Sequence, residues 1–186
     1  MSSLKALVAA GVLATTTLFA APSYAIEWTV DSDKSALTFD TMQNGQPLSG
    51  TFQNWTAVIN FDPADPENGK IEATISTQSA DTGNGQINQT LASDAWFNVA
   101  QFENAVFKSE TIVPTGGNGF EARGTLSIRG IELPLTLPFT LSIKDATAHA
   151  VATVDLSRTS YEMGKDISPE TVPDKVVVKL DLWATR

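Results

Sequence analysis

Between Leu133 and Ile143 every odd position is apolar: Leu133, Leu135, Leu137, Phe139, Leu141 and Ile143. The even positions carry Pro134, Thr136, Pro138, Thr140 and Ser142. A period of two puts one set of side chains on each face of an extended chain, so this segment predicts a strand with one dry and one wet face. The same alternation recurs along the chain. Ile26, Trp28 and Val30 alternate with Glu27, Thr29 and Asp31, and Leu37 and Phe39 continue after a turn at Ser32 to Lys34. A longer strand is predicted from Pro47 through Phe52 and Trp55 to Ile59 and Phe61, and a return strand at Ile71, Ala73, Ile75 and Thr77. Turn-forming clusters at 62–69 and 114–119 and the pair Arg129-Gly130 punctuate the pattern. Further strands are predicted from Val106 to Ile112, Phe120 to Ile128, Ala146 to Leu156 and Val176 to Ala184.

One stretch departs. From Asp81 to Asn104 the alternation fails, and Ile87 and Leu91 fall four apart, which predicts a short helical excursion. Pro134 and Pro138 lack a backbone donor, so their strand is expected to be bulged or unpaired at those points. The result is an all-β antiparallel chain of eight or nine strands at hairpin spacing. Two closures fit that count, a two-layer sandwich and a barrel. A barrel of about eight strands has an interior that side chains fill or that holds one small ligand.

The N-terminus reads as a targeting segment. Lys5 precedes an apolar run from Ala6 to Ala20, and Ser23-Tyr24-Ala25 offers small residues where a signal peptidase reads. Cleavage after Ala25 is predicted, leaving one domain over 26–186. Residues 1–25 hold one lysine and no acid, so the net charge of −9 becomes −10 after cleavage. Such an acidic chain is a poor partner for nucleic acid or an anionic membrane surface, and no second apolar run predicts stable membrane insertion once the leader is removed. With no cysteine, the domain rests on core burial alone. A compact leader of this kind places the mature protein in the periplasm or outside the cell. Asn54-Trp55-Thr56 and Asn88-Gln89-Thr90 match a glycosylation pattern that a bacterial leader makes incidental.

Little in the chain suggests catalysis. Asp81-Thr82-Gly83 copies the aspartic-protease triplet, but that chemistry needs two carboxylates sharing a proton, and a strand-end turn accounts for the residues. His149 is the sole histidine, flanked by Ala148 and Ala150, and reads as a solvent-side strand residue with no metal site. Asp62, Asp65, Glu67 and Asn68 miss the spacing of a calcium loop. No serine sits in a nucleophile elbow. The chain is read as a non-enzyme that needs no cofactor.

Six segments occur in order over most of the predicted mature chain: "WTVDSDKSALTF", "GTFQNWTAVINFDP", "ADTG", "LASDAWFNVAQFENAVFKS", "GTLSIRGIELPLTLPF" and "DLSRTSYEMG". Together they resemble the YceI-like family of bacterial exported proteins over roughly 26–185. Where that family usually has a tyrosine-proline pair, this chain has Gln101-Phe102-Glu103-Asn104. The resemblance implies an eight-stranded lipocalin-like barrel that holds a polyisoprenoid, an isoprenoid quinone or another long-chain lipid, as a periplasmic carrier or reservoir. The expected inward set is Trp28, Leu37, Phe39, Phe52, Phe107, Leu126, Ile128, Leu137, Phe139, Leu141, Val178 and Leu180. Trp96 and Phe97 are expected at the mouth or one closed end, and Arg158 and Tyr161 where a head-group oxygen would bind. The alternative is an envelope interaction protein with a filled core and no lipid.

Overall fold

The computed structural model describes residues 26–186; the leader and its cleavage site lie outside the described residues. Eleven strands and one α-helix follow in order. They are β1 (Glu27–Val30), β2 (Ala36–Gln43), β3 (Gln46–Phe52), β4 (Trp55–Asn60), β5 (Lys70–Ser76), β6 (Ala80–Asp81), α1 (Gly85–Ala92), β7 (Asn104–Gly116), β8 (Gly119–Ile128), β9 (Ile131–Lys144), β10 (Thr147–Ser157) and β11 (Lys175–Thr185). All pairings are antiparallel.

The first six strands are three broken ones. β1 pairs with β4 while β2 pairs with β3, and β4 pairs with β5 while β3 pairs with β6. Each pair β1/β2, β3/β4 and β5/β6 therefore counts as one staff of the wall. β11 closes the ring, meeting β2 from Val177 to Asp181 and β1 at Ala184 and Thr185. The outcome is an eight-staff up-and-down barrel in which every neighbour in space is a neighbour in sequence. The barrel closure holds and the sandwich does not. Closure leaves no strand at a free sheet end, and the wall's longest gap is Ile131–Pro138 of β9, which has no β10 partner.

Three local departures from simple alternation have physical reasons. The strand expected to run unbroken from Pro47 to Phe61 is interrupted at Gln53-Asn54, where the wall bends. In β7 the pairing with β8 slips between Ser109 and Thr111, so Glu110 bulges. That extra residue resets the parity, and both Phe107 and Ile112 are buried. Gly124 sits opposite the bulge, where a Cβ would collide with the Lys108 carbonyl. Pro134 and Pro138 cause no bulge: β9 pairs with β8 without a slip through both, whereas its ladder to β10 stops at Phe139. The prolines lie on the stretch that has no β10 partner.

The end of the barrel that carries the turns 117–118 and 145–146 is packed solid. Phe61, Phe120 and Phe139 meet with ring centroids 5.3–6.1 Å apart. Trp28 donates its indole N–H to the Phe61 carbonyl at 2.9 Å, and Arg186 lies 5.0 Å from the Trp28 ring. Ion pairs such as Lys108–Glu72 and Lys179–Asp40 decorate the outer face, where each contributes little.

Candidate functional site

The inward face of an alternating strand should be the most buried part of a filled barrel. Here it is not. Leu133, Leu135, Leu137, Phe139, Leu141 and Ile143 are each only partly buried, as are Val176, Val178 and Leu180, although all of them point inward against the core. Inward side chains stay accessible when they face a void, and the barrel encloses one of about 280 Å³. That volume sits at the lower end of small-molecule pockets. Small residues open it. β10 presents Ala148, Ala150 and Ala152 to the interior, and β5, four staffs away round the ring of eight, presents Ala73.

Of the residues expected to face a ligand, Trp28, Leu37, Phe39, Phe52, Trp96, Phe97, Phe107, Leu126, Ile128, Leu137, Phe139, Leu141, Arg158, Val178 and Leu180 all line this cavity. Tyr161 does not. It is buried in the core within the segment 158–174, and burial pushes its phenol pKa up. The alanines, and Thr41, Gln43, Leu48, Ile87 and Thr90, were not among the expected residues but also line it. For those on strands, parity carries the sequence signal, and for Ile87 the spacing of four to Leu91 on α1 does.

Arg158 corrects the expectation most sharply. It is 1% exposed, so it is neither a surface residue paired with an acid nor an open anion receptor. Its Nε donates to the Pro173 carbonyl, Nη1 to those of Met163 and Gly164, and Nη2 to those of Ile167 and Val172, at 2.5–3.1 Å. A guanidinium has five N–H donors. All five are used on the backbone of one loop. Trp96 covers the guanidinium at 5.7 Å, and together with Phe97, which meets Phe52 edge-on, it spans the end of the barrel opposite the phenylalanine plug. Next to Arg158, Thr159 donates its amide and hydroxyl to Asp174, which holds that carboxyl below the usual carboxylate range.

Gly164 completes this cap. Its φ of +54° is left-handed, and a Cβ there would lie 2.9 Å from Trp96 and 3.1 Å from Nη1 of Arg158. Gly164→Ala is therefore expected to lower the unfolding free energy by about 1–2 kcal/mol, read as a lower urea midpoint at unchanged m-value. An unchanged midpoint would show that the cap carries no such constraint.

The helix α1 borders the opening. Asn84 caps it, accepting from the amides of Gln86 and Ile87, and Ile87 and Leu91 turn one face to the cavity. Across from it, β3 pairs with β6 only at Thr51 and Phe52, so its residues 46–50 have no strand on that side. Gly50 lets the Phe39 ring lie across β3, in space a Cβ would occupy. A polar recess lined by Gln43, Asn84, Gln86, Ile87 and Thr90 shares three of its residues with the cavity and so lies beside it.

The other residues singled out in the sequence lie elsewhere. Asp81 ends β6 and accepts from the Gly83 amide and from Asn88 and Gln53, a strand-end turn. His149 points outward, stacked 4.1 Å from Trp183 and 2.8 Å from Asp181. Among the described residues, no helix is long and apolar enough to cross a membrane.

The comparisons with known proteins agree with this geometry. The family model described as a YceI-like domain matches residues 28–184. A UPF0312 protein of Pseudomonas savastanoi pv. phaseolicola is 28% identical over 142 residues, covering 75% of this chain and 74% of that protein. Among solved structures, BcnA of Burkholderia cenocepacia superposes with a TM-score of 0.80 at 32% identity, over 84% of this chain and 99% of that one. A domain from Saccharophagus degradans, described as polyisoprenoid-binding and implicated in plant cell wall breakdown, superposes with a TM-score of 0.69 at 14% identity. It covers 88% of this chain and 99% of that domain.

Proposed function

This chain belongs to the YceI-like domain family, and from that premise we propose that its barrel encloses the apolar tail of a long-chain amphiphile. A polyisoprenoid or an isoprenoid quinone is the ligand class, and the protein acts as a periplasmic carrier or reservoir after removal of residues 1–25. The observation that carries this reading is the cavity of about 280 Å³ whose walls are apolar from the phenylalanine plug to the level of Thr41, Gln43, Thr90 and Arg158. Enclosing about ten methylene groups would contribute ~8 kcal/mol before ordering costs, enough for useful affinity. The superposed polyisoprenoid-binding domain supports the ligand class. Among the described residues, no aspartate, glutamate or histidine lines the cavity, as suits a site that holds a lipid by apolar contact.

The test is recovery of the ligand. Organic extraction of protein purified from its native host is expected to release a long-chain molecule in near-equimolar amount, identified by mass spectrometry. A clean organic phase, together with no change in the emission of Trp28, Trp55 and Trp96 on adding prenyl lipids to the purified protein, would refute the reading, since all three line the cavity.

A further inference from the structure

The polar groups of the cavity gather at one end, and their chemistry selects among head groups. Gln43 on β2 and Gln86 on α1 flank the recess, with Thr41, Thr90 and Asn84 beside them. Among the described residues neither glutamine's side-chain amide makes a hydrogen bond, so each has an unused carbonyl acceptor and an unused N–H donor pair. The threonine hydroxyls donate to backbone carbonyls, Thr41 to Lys175 and Thr90 to Gln86, but keep acceptor capacity. Among the described residues, the only charged side chain lining either the cavity or the recess is Arg158, and its five donors are spent on the loop it holds.

An anionic head group brought to this mouth would leave water for a site that has no cation to receive it. It would also approach a protein of net charge −9, which repels it at long range. A hydroxyl or a quinone carbonyl meets the opposite situation, because these amides can donate to either and can accept from the hydroxyl. Resting on the tail-binding reading above, we propose that this collar makes the protein selective for uncharged, hydrogen-bonding head groups. Prenyl alcohols and prenyl quinones are its ligands and prenyl phosphates are not. Gln43 and Gln86 determine that specificity.

Three probes of equal chain length separate the possibilities: a prenyl hydrocarbon, the matching alcohol and the matching monophosphate. Each is titrated into the delipidated protein at neutral pH and followed by tryptophan emission. The alcohol is expected to bind at least about tenfold more tightly than the monophosphate, and more tightly than the hydrocarbon. Phosphate binding equal to or tighter than that of the alcohol would overturn the head-group assignment and leave tail binding intact. A hydrocarbon as tight as the alcohol would show that the collar contributes nothing, with the same consequence. Failure of all three would remove the tail-binding reading and this one with it. A lysine at the mouth should reverse the preference: in Gln43→Lys the alcohol-to-phosphate affinity ratio is expected to fall at least tenfold. Gln86→Lys, at an exposed helix position, makes the same test should the strand variant fold poorly. An unchanged ratio in a folded Gln86→Lys would count against the role of that residue.

Discussion

Replacing Arg158 by methionine is expected to lower the unfolding free energy by about 3–5 kcal/mol, because it leaves five backbone carbonyls without their donor and each one that water cannot reach costs about 1–3 kcal/mol. The mechanism is the loss of five bonds at once. Methionine has a similar length and no donor, so the carbonyls of Pro173, Met163, Gly164, Ile167 and Val172 lose their common partner inside a closed loop. Against a total of about 5–15 kcal/mol for a domain, that is a large share. At this chain length it corresponds to a drop of about 6–20 °C in melting temperature. Lysine supplies three donors from a point charge, so Arg158→Lys should fall between wild type and methionine. The result also discriminates between two roles. A receptor for an anionic head group would lose affinity and keep its stability on mutation, whereas a loop clasp loses stability first. A methionine variant within 1 kcal/mol of wild type would mean that water replaces the guanidinium and that the clasp is dispensable.

Arg158 also shows where reading a sequence stops. The alternation is a local signal, and because side chains on adjacent residues must face opposite ways, it makes the strands and most of the inward residues legible; it leaves barrel and sandwich open, and only the family resemblance implied the barrel. Phe107, Leu126, Ile128 and the odd residues of β9 follow from parity and lie inside. Where parity is interrupted the signal is lost: the bulge at Glu110 re-phases β7, and nothing local to Val106–Ile112 announces it. The fate of Arg158 is a non-local fact. Its partners lie 5 to 15 residues downstream in a segment without periodicity, and a sequence offers no means to tell a clasped arginine from a waiting one. Tyr161 failed for the same reason. The collar has no local signal because Gln43 and Gln86 are 43 residues apart and meet only where β2 and α1 border the opening. The alanines were passed over for a different cause. Large residues advertise a core, but a void is created by small ones on the inward phase.

Those alanines make the tail-binding reading most directly testable. Ala150 is half-buried, lines the cavity from the first half of β10, and pairs with Leu141 on one side and Leu182 on the other. In a close-packed core a phenylalanine there would overpack and cost about 1–3 kcal/mol. Projected into a void, the added ring instead buries its own apolar surface, so Ala150→Phe is expected to leave the unfolding free energy unchanged or raise it. The tail loses what the ring occupies. If three or four methylene groups are displaced into water at ~0.8 kcal/mol each, about 2.4–3.2 kcal/mol of binding is lost, which is on the order of a hundredfold in affinity. The combination of kept stability and lost affinity is what only a ligand-sized void produces. Binding by an outer surface would leave affinity for prenyl lipid untouched in the same variant. A filled core would show up as a lowered urea midpoint. Titrating Ala150→Phe and wild type with one prenyl alcohol, alongside paired denaturation curves, distinguishes these cases, because each moves a different pair of numbers.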